Sequence, residues 1–477
     1  MERLDLFVSG AVDRAALTYT LDLFGECTRA RFAWRLRPAE ESAGADAPGV
    51  WYGRPAPEGA PGTVEIPLRP PRGFRAAALD LPAPLSEAAG GAVLVYADTR
   101  AETGPPARVD VHGRRVAFGF DLFATAFAFA ACLEERAHEA AHGPVHGYAR
   151  RLTRGERRFE RPWVEALFAA FARAISLAAG RDDLFGASAP RPLLLGHDVD
   201  AVDKRFVKSA KGAAFGLRNA GRAAVRGRPG EAARCALGAA CLPFARADYF
   251  QFDRIRRVEE RAGVRSTFYV YARAPGRSFF GRLRRLVFDP DYDLRREARL
   301  VAKLRELLAA GWGVGLHPSF DAFEDAERLA GEKRLLEQAL DASVTKVRNH
   351  WLRLSLARTW RAQAEAGFEE DATLGFNDAV GFRAGLARPF RPFDPERGGA
   401  LPLRVAPVAV MDSTLFDYLR LGAADAAATA RAVLAEAARF GGSAGLSWHV
   451  HGFSDILGWG GVYGELVAGG PEAAHDG

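Results

Sequence analysis

At 477 residues the chain exceeds the size at which one hydrophobic core usually stops growing, so two domains are expected. Its 65 basic and 59 acidic residues leave a formal charge of +6, a mild excess that gives no footprint for nucleic acid. Four cysteines, Cys27, Cys132, Cys235 and Cys241, lack CxxC spacing, which argues against a disulfide framework or a zinc ribbon and for unpaired thiols.

The amino terminus, MERLDLFVSGAVDRAALTYTLDLFG, carries Glu2, Asp5 and Asp13 where an export signal needs a basic start and an unbroken apolar core. Later apolar runs stop short of the roughly 20 residues a membrane helix needs. A soluble, cytoplasmic protein is expected. Short strand-like pieces such as GTVEIPL and GAVLVYAD follow, then the long helical pattern DLFATAFAFAACLEERAHEAAHG. Together they predict a smaller N-terminal α/β domain over residues 1–185. His138, His142 and His146 approach helical spacing, but Gly143 and Pro144 break the helix, so they read as surface or turn residues rather than metal ligands. The stretch GRDDLFGASAPRP, at 180 to 192, is punctuated like a linker. The second domain is therefore placed at 186–477.

It opens on RPLLLGHDVDAVDKR, where Leu193 to Leu195 look like a buried strand. Alternation puts Asp198 and Asp200 on one side of it. Two crowded carboxylates repel, and a shared proton, a basic side chain or a metal ion would offset that. The plainer alternative is that one Asp caps the next helix while the other is solvated. Residues 206–241 are rich in Ala, Arg and Lys. They read either as a basic amphipathic helix in weak contact with anionic lipid or acidic glycan, or as a solvated helical insertion.

Seven strand-like runs then recur with helical segments between them: PLLLGHDVD, STFYVYA, WGVGLHPSF, VTKVRNHW, FEEDATLGF, RVAPVAVMD and SAGLSWHVH. They predict a distorted seven-stranded (β/α) barrel, in which functional side chains gather at the carboxyl ends of the strands. Those ends carry Asp198 and Asp200, His317, Arg348 and His350, Asp371, Asp412, and His449 with His451. Convergence of so many titratable groups on one rim favours function for the Asp pair. The glycines of GWGVGLHP lack the Lys and Ser/Thr of a phosphate loop. GFRAG reads as a tight turn displaying Arg383, structural or directed at an acidic sugar.

Taken in order, these motifs resemble the polysaccharide deacetylase (NodB-like, carbohydrate esterase family 4) superfamily. The stretch GFDLFATAFAFAACLEE resembles the preceding domain of a bacterial subgroup associated with surface polysaccharides. The resemblance implies a metal-dependent hydrolase that removes N-acetyl groups from an amino sugar of a surface polysaccharide or its precursor. It implies Asp198 as general base, Asp200 and His317 as ligands of a divalent metal, usually zinc, Arg348 steering the base, and Asp371 orienting His449 as general acid. One departure stands out: the family's second motif is His-x-x-x-His, whereas here Asp321 follows His317 by four residues, one helical turn on, from where it could face the same ion. Asp321 is either the third metal ligand or the cap of the next helix. His350 and His451 are reserves, His451 being preferred because alternation puts it on the face of His449. The competing reading is a catalytically silent barrel that binds glycan or scaffolds polysaccharide synthesis.

Overall fold

The computed structural model describes residues 2–42, 47–69, 76–96, 108–152, 159–187, 192–203, 248–273, 288–290 and 292–469, with shorter pieces between 217 and 241. Among these, no helix is long and apolar enough to cross a membrane. Cys27 and Cys132 form no disulfide, and the side chains of Cys235 and Cys241 lie outside the described residues. The expected lipid or glycan contact through 206–241 also falls largely outside them, although the helix Pro229–Cys241 is present.

The first part of the chain forms β1 (Glu2–Val8), β2 (Phe32–Pro38), β3 (Gly49–Tyr52), β4 (Thr63–Ile66), β5 (Ala76–Leu79), β6 (Val93–Tyr96), β7 (Val109–His112) and β8 (Arg115–Phe118). Six of them make a sheet of order β2-β1-β3-β4-β8-β7, parallel except for the terminal β7–β8 hairpin, while β5 and β6 pair separately. The helix Trp163–Ala179 buries Leu167, Phe168, Phe171, Ala174 and Ile175, spaced by three and four residues. The apolar pattern expected as one long helix is two, Leu122–Ala130 and Leu133–His142, broken at Cys132, whose backbone is left-handed at φ 52°. Asp121 caps the first of them by accepting from the Ala124 N–H at 2.9 Å.

The remaining strands are β9 (Leu194–Val199), β10 (Thr267–Val270), β11 (Gly313–Leu316), β12 (Lys346–Val347), β13 (Glu370–Asp371), β14 (Phe393–Asp394), β15 (Gly399–Ala400), β16 (Arg404–Val405), β17 (Val408–Met411) and β18 (Gly445–Ser447). β14 and β15 form a small hairpin, and the others an eight-stranded parallel sheet of order β16-β13-β12-β11-β10-β9-β18-β17. Eight strands stand where seven are expected because the run RVAPVAVMD is two, separated at Ala406 and Pro407. Proline has no N–H for a ladder, which interrupts the run there. The outermost strands of the sheet, β16 and β17, are thus consecutive in sequence. A chain rises at most about 3.5 Å per residue, so the two edges must approach one another and the sheet curls in a barrel-like manner.

Along β9 the side chains alternate. Leu195, His197 and Val199 face the surrounding helices, where His197 Nε2 meets Glu259 at 2.9 Å. Leu194, Gly196 and Asp198 face the interior, where Tyr269 packs with Ala372 and Ala406. Gly196 is required there, because a Cβ would lie 2.4 Å from Arg348 Nη2. Gly315 likewise leaves room for the Tyr269 ring, 2.8 Å from where its Cβ would be. Buried ion pairs tie the first 185 residues to the rest: Glu135 to Arg383, and Glu165 to Arg388 at 3.0 Å. Arg383, expected on a displayed turn, is therefore internal.

Candidate active site

Asp198 is 3% exposed at the end of β9, and Arg348, just beyond β12, reaches across the interior to it, Nη1 donating to Oδ1 at 2.8 Å. The guanidinium is fixed on every side. Nη1 also donates to Ser447 Oγ at 2.9 Å and Nε to the Ala372 carbonyl at 3.0 Å, while the plane lies 4.2 Å from the Tyr269 ring centre. Burial pushes the Asp198 carboxyl up, but the charge of Arg348, with His317 and His449, outweighs it and holds Asp198 below its ordinary 3.8.

Asp200, two residues on, is partly exposed. Its Oδ1 lies 3.4 Å from His317 Nε2 and 3.7 Å from His350 Nε2, and its Oδ2 lies 3.6 Å from His449 Nε2. His317 directly follows β11, and its Nδ1 donates to the Arg348 carbonyl at 2.6 Å, which turns Nε2 toward Asp200. His350 stands in a short helical turn after β12, its ring centre 4.8 Å from that of His317. Burial lowers the pKa of His350, favouring the neutral ring that binds metals. His317 is raised instead, because Asp198 and Asp200 outweigh its burial.

Asp200, His317 and His350 could hold a metal ion, since each offers a donor atom within 4.8 Å of the others. The chemistry of the set fits: one carboxylate and two imidazoles are ordinary ligands of zinc and similar ions, and three protein ligands leave a position open. His350 Nδ1 is buried and has no hydrogen-bond partner among the described residues, so the ring is held by packing and by its Nε2 facing Asp200.

Two expected assignments change. Asp321 is not in this group; its Oδ1 lies 3.5 Å from Arg353 Nη1. The i, i+4 argument presupposed a helix, but after Pro318 the chain makes irregular turns and the helix Ala326–Leu340 starts later, capped by Asp325 rather than Asp321. His350 takes the place in the cluster, ahead of His451, whose ring centre lies 5.2 Å from that of His449.

Asp371 does not hold His449. It is fully buried, accepts from Trp360 Nε1 at 3.1 Å, Gln363 Nε2 at 2.9 Å and the Thr373 hydroxyl, and is a structural acceptor. The partner of His449 is Asp412, which directly follows β17, the neighbour of β18. Asp412 is visible in the sequence as a strand-end carboxylate in MDSTLF; only the pairing of β17 with β18 reveals its partner. Burial disfavours a charged His449 ring, but Asp412, with Asp200 and Asp198, outweighs it and lifts the ring to about 10.

His138, His142 and His146 are not members of the ligand cluster. His138 and His142 share a helix, their ring centres 4.9 Å apart. His146 accepts from the Leu354 N–H at 3.3 Å, and burial pulls it down to about 4.

No protein-family model and no curated protein matches the chain. Among solved structures it is similar to a candidate polysaccharide deacetylase from Mycobacterium smegmatis, at 19% identity and TM-score 0.36, over 61% of this chain and 86% of that one. It is also similar to Agd3, described as a novel carbohydrate deacetylase, at 10% identity and TM-score 0.34, over 98% of this chain and 84% of that one. A third is a mutant of BA3943, described as a CE4 family pseudoenzyme with restored activity, at 11% identity and TM-score 0.24, over 56% of this chain and 58% of that one. The first and third of these are described by the family names that the ordered motifs resemble.

Proposed function

We propose that the protein is a divalent-metal-dependent carbohydrate N-deacetylase, with zinc on Asp200, His317 and His350. The observation that carries this reading is the pair of opposed proton-handling units flanking those three ligands: Asp198 held by Arg348, and His449 held by Asp412. An amide is a poor electrophile, and a divalent ion bound there supplies Lewis acidity to the acetyl carbonyl and a lower pKa for the attacking water. Asp198, kept ionised by Arg348, takes the proton of that water. His449, kept protonated by Asp412, gives a proton to the departing sugar amine; a carboxylate with an ordinary pKa would already have lost its own at neutral pH. Asp198 and His449 thus divide the roles of base and acid between them, as their opposite pKa shifts favour.

The test is acetate release by the zinc-loaded protein from N-acetylated nucleotide sugars, lipid-linked sugars and oligosaccharides, against the Asp198→Asn variant. Acetate from the parent alone supports the reading. Zinc-loaded parent that releases none from any member of the panel overturns it.

A further inference from the structure

On the outer face of β9, four side chains converge on one carboxylate. Glu259, in the helix Phe252–Arg261, is fully buried. Its Oε1 accepts from the Tyr463 hydroxyl at 2.6 Å and meets His197 Nε2 at 2.9 Å. Its Oε2 accepts from the Ser266 hydroxyl at 3.0 Å and from Trp312 Nε1 at 2.5 Å. Burial pushes the Glu259 carboxyl up, but His197, Tyr463 and Trp312 outweigh it and hold it below its ordinary 4.5. Apolar side chains of the same volume would often stabilise a core as well or better, so stability alone is a weak account of this arrangement.

The other end of the His197 ring supplies a better one. Nδ1 lies 2.9 Å from the Trp448 carbonyl, and because a carbonyl only accepts, Nδ1 carries the proton. β9 and β18 pair from Leu194 with Gly445 to Gly196 with Ser447, and the Trp448 N–H closes that ladder on the Gly196 carbonyl at 2.9 Å. Beyond it the chain departs into the short helical turn Val450–Phe453, and the His197 ring takes the place of the next rung. Asp198 directly follows His197, and His449 directly follows Trp448. The bond from His197 to Trp448 therefore joins the backbone of the proposed base to that of the proposed acid. Alternation turns the ring away from Asp198, so His197 acts from outside the site.

We propose that His197 is a positioning residue for the reaction: its Nδ1 bond to the Trp448 carbonyl sets His449 relative to Asp198, and Glu259 orients the ring that makes it. A displacement of about 1 Å in such a pair can cost about 100-fold in rate. The proposal rests on the deacetylase reading for the roles of Asp198 and His449, but its test reads backbone order and acetate separately.

Two amide side chains divide the ring's functions. His197→Gln places an N–H near the position of Nε2, keeps the contact with Glu259 and gives up Trp448. His197→Asn places one near the position of Nδ1, keeps Trp448 and gives up Glu259. In the zinc-loaded full-length protein, His197→Gln should lower kcat by about 100-fold with KM and zinc affinity unchanged. It should also speed hydrogen exchange at the His449 amide, which donates to Asp412 Oδ2 at 2.8 Å, by about tenfold or more, read by mass spectrometry of peptides spanning 445–453. His197→Asn should have the lower melting temperature of the two, since Glu259 loses a donor, yet restore most of the turnover and the amide protection. Parent-like kcat and exchange in His197→Gln, or losses in the two variants that follow their melting temperatures, overturn the proposal. If the parent releases no acetate, the deacetylase reading falls, and faster exchange confined to His197→Gln leaves the positioning bond standing.

Discussion

The Asp412 carboxylate accepts twice from His449, at 2.8 Å from the backbone N–H and 2.7 Å from ring Nδ1. One oxygen fixes the chain while the other fixes the ring, and Nε2 is left to face Asp200. A buried carboxylate in that position sets the tautomer and keeps a proton on the ring.

Replacing Asp412 by Asn should therefore cost turnover, by about 100-fold, with little change in KM if His449 acts as general acid. The His449 pKa, followed by NMR of the ring protons, should fall from its raised value. Asp371→Asn serves as the control: it should lower the melting temperature by disturbing the contacts with Trp360, Gln363 and Thr373, and leave the His449 titration where it was. The opposite pattern would restore Asp371 to the orienting role.

Metal content separates the ligands. Asp200→Asn, His317→Ala and His350→Ala should each weaken zinc binding by at least about tenfold, read by competition with a chromophoric chelator. Asp321→Ala should bind zinc like the parent, since its carboxylate lies by Arg353. Loss of affinity in Asp321→Ala with none in His350→Ala would reverse the assignment.

Asp198→Asn should retain zinc and lose about 10²- to 10⁴-fold in turnover, the range for a missing general base. Arg348→Met should instead threaten folding, because it leaves a buried carboxylate unpaired; breaking such a pair from one side costs about 3–5 kcal/mol. Urea denaturation of the two variants distinguishes the outcomes. An Arg348→Met protein as stable as the parent would mean that the pair is not held as described.

Glu332 predicts a pH effect on stability away from the chemistry. Its carboxylate accepts from the Ser319 N–H at 2.8 Å and the Ser319 hydroxyl at 2.5 Å, and burial lifts its pKa from 4.5 to about 7. The folded state then holds the proton more tightly than the unfolded chain. Stability should fall as pH rises from about 4.5 to 7 and flatten above that. Glu332→Gln removes the ionisation and preserves acceptor and donor toward Ser319. Its stability relative to the parent should improve between pH 4.5 and 8 by on the order of 3 kcal/mol. A difference between parent and variant that does not vary with pH would exclude a raised Glu332.

Much of the candidate site was legible because strand periodicity is local. Asp198, Asp200, His317, Arg348 and His449 could all be read at or near strand ends, and the structure brings them together around the interior of one curled sheet. What failed depended on neighbours in space. The reading of Asp321 borrowed a helical turn that Pro318 and the irregular chain after it do not supply. The reading of Asp371 required a partner strand, and pairing of β17 with β18 is a fact of sheet order that no spacing encodes. His350 was visible only as a reserve, since its place in the cluster depends on a turn with two left-handed residues, Trp351 and Leu352, that sequence pattern does not announce. The strand count failed where two short strands flank Pro407 and look like one run.

The buried pairs Glu135–Arg383 and Glu165–Arg388 bear on how such a chain can change over evolutionary time. Both arginines sit in GFRAGLAR, which contributes none of the three proposed ligands, and both answer to a glutamate from the first 185 residues. A descendant that lost those residues would leave both guanidinium groups without the carboxylates they pair with and would open to water the face that now buries them, so that nothing would favour an arginine at either position. Loss of the leading segment and replacement of Arg383 and Arg388 should therefore occur together. Among homologues, these two positions offer a marker of whether the leading segment is present, readable even from a fragment that begins after it.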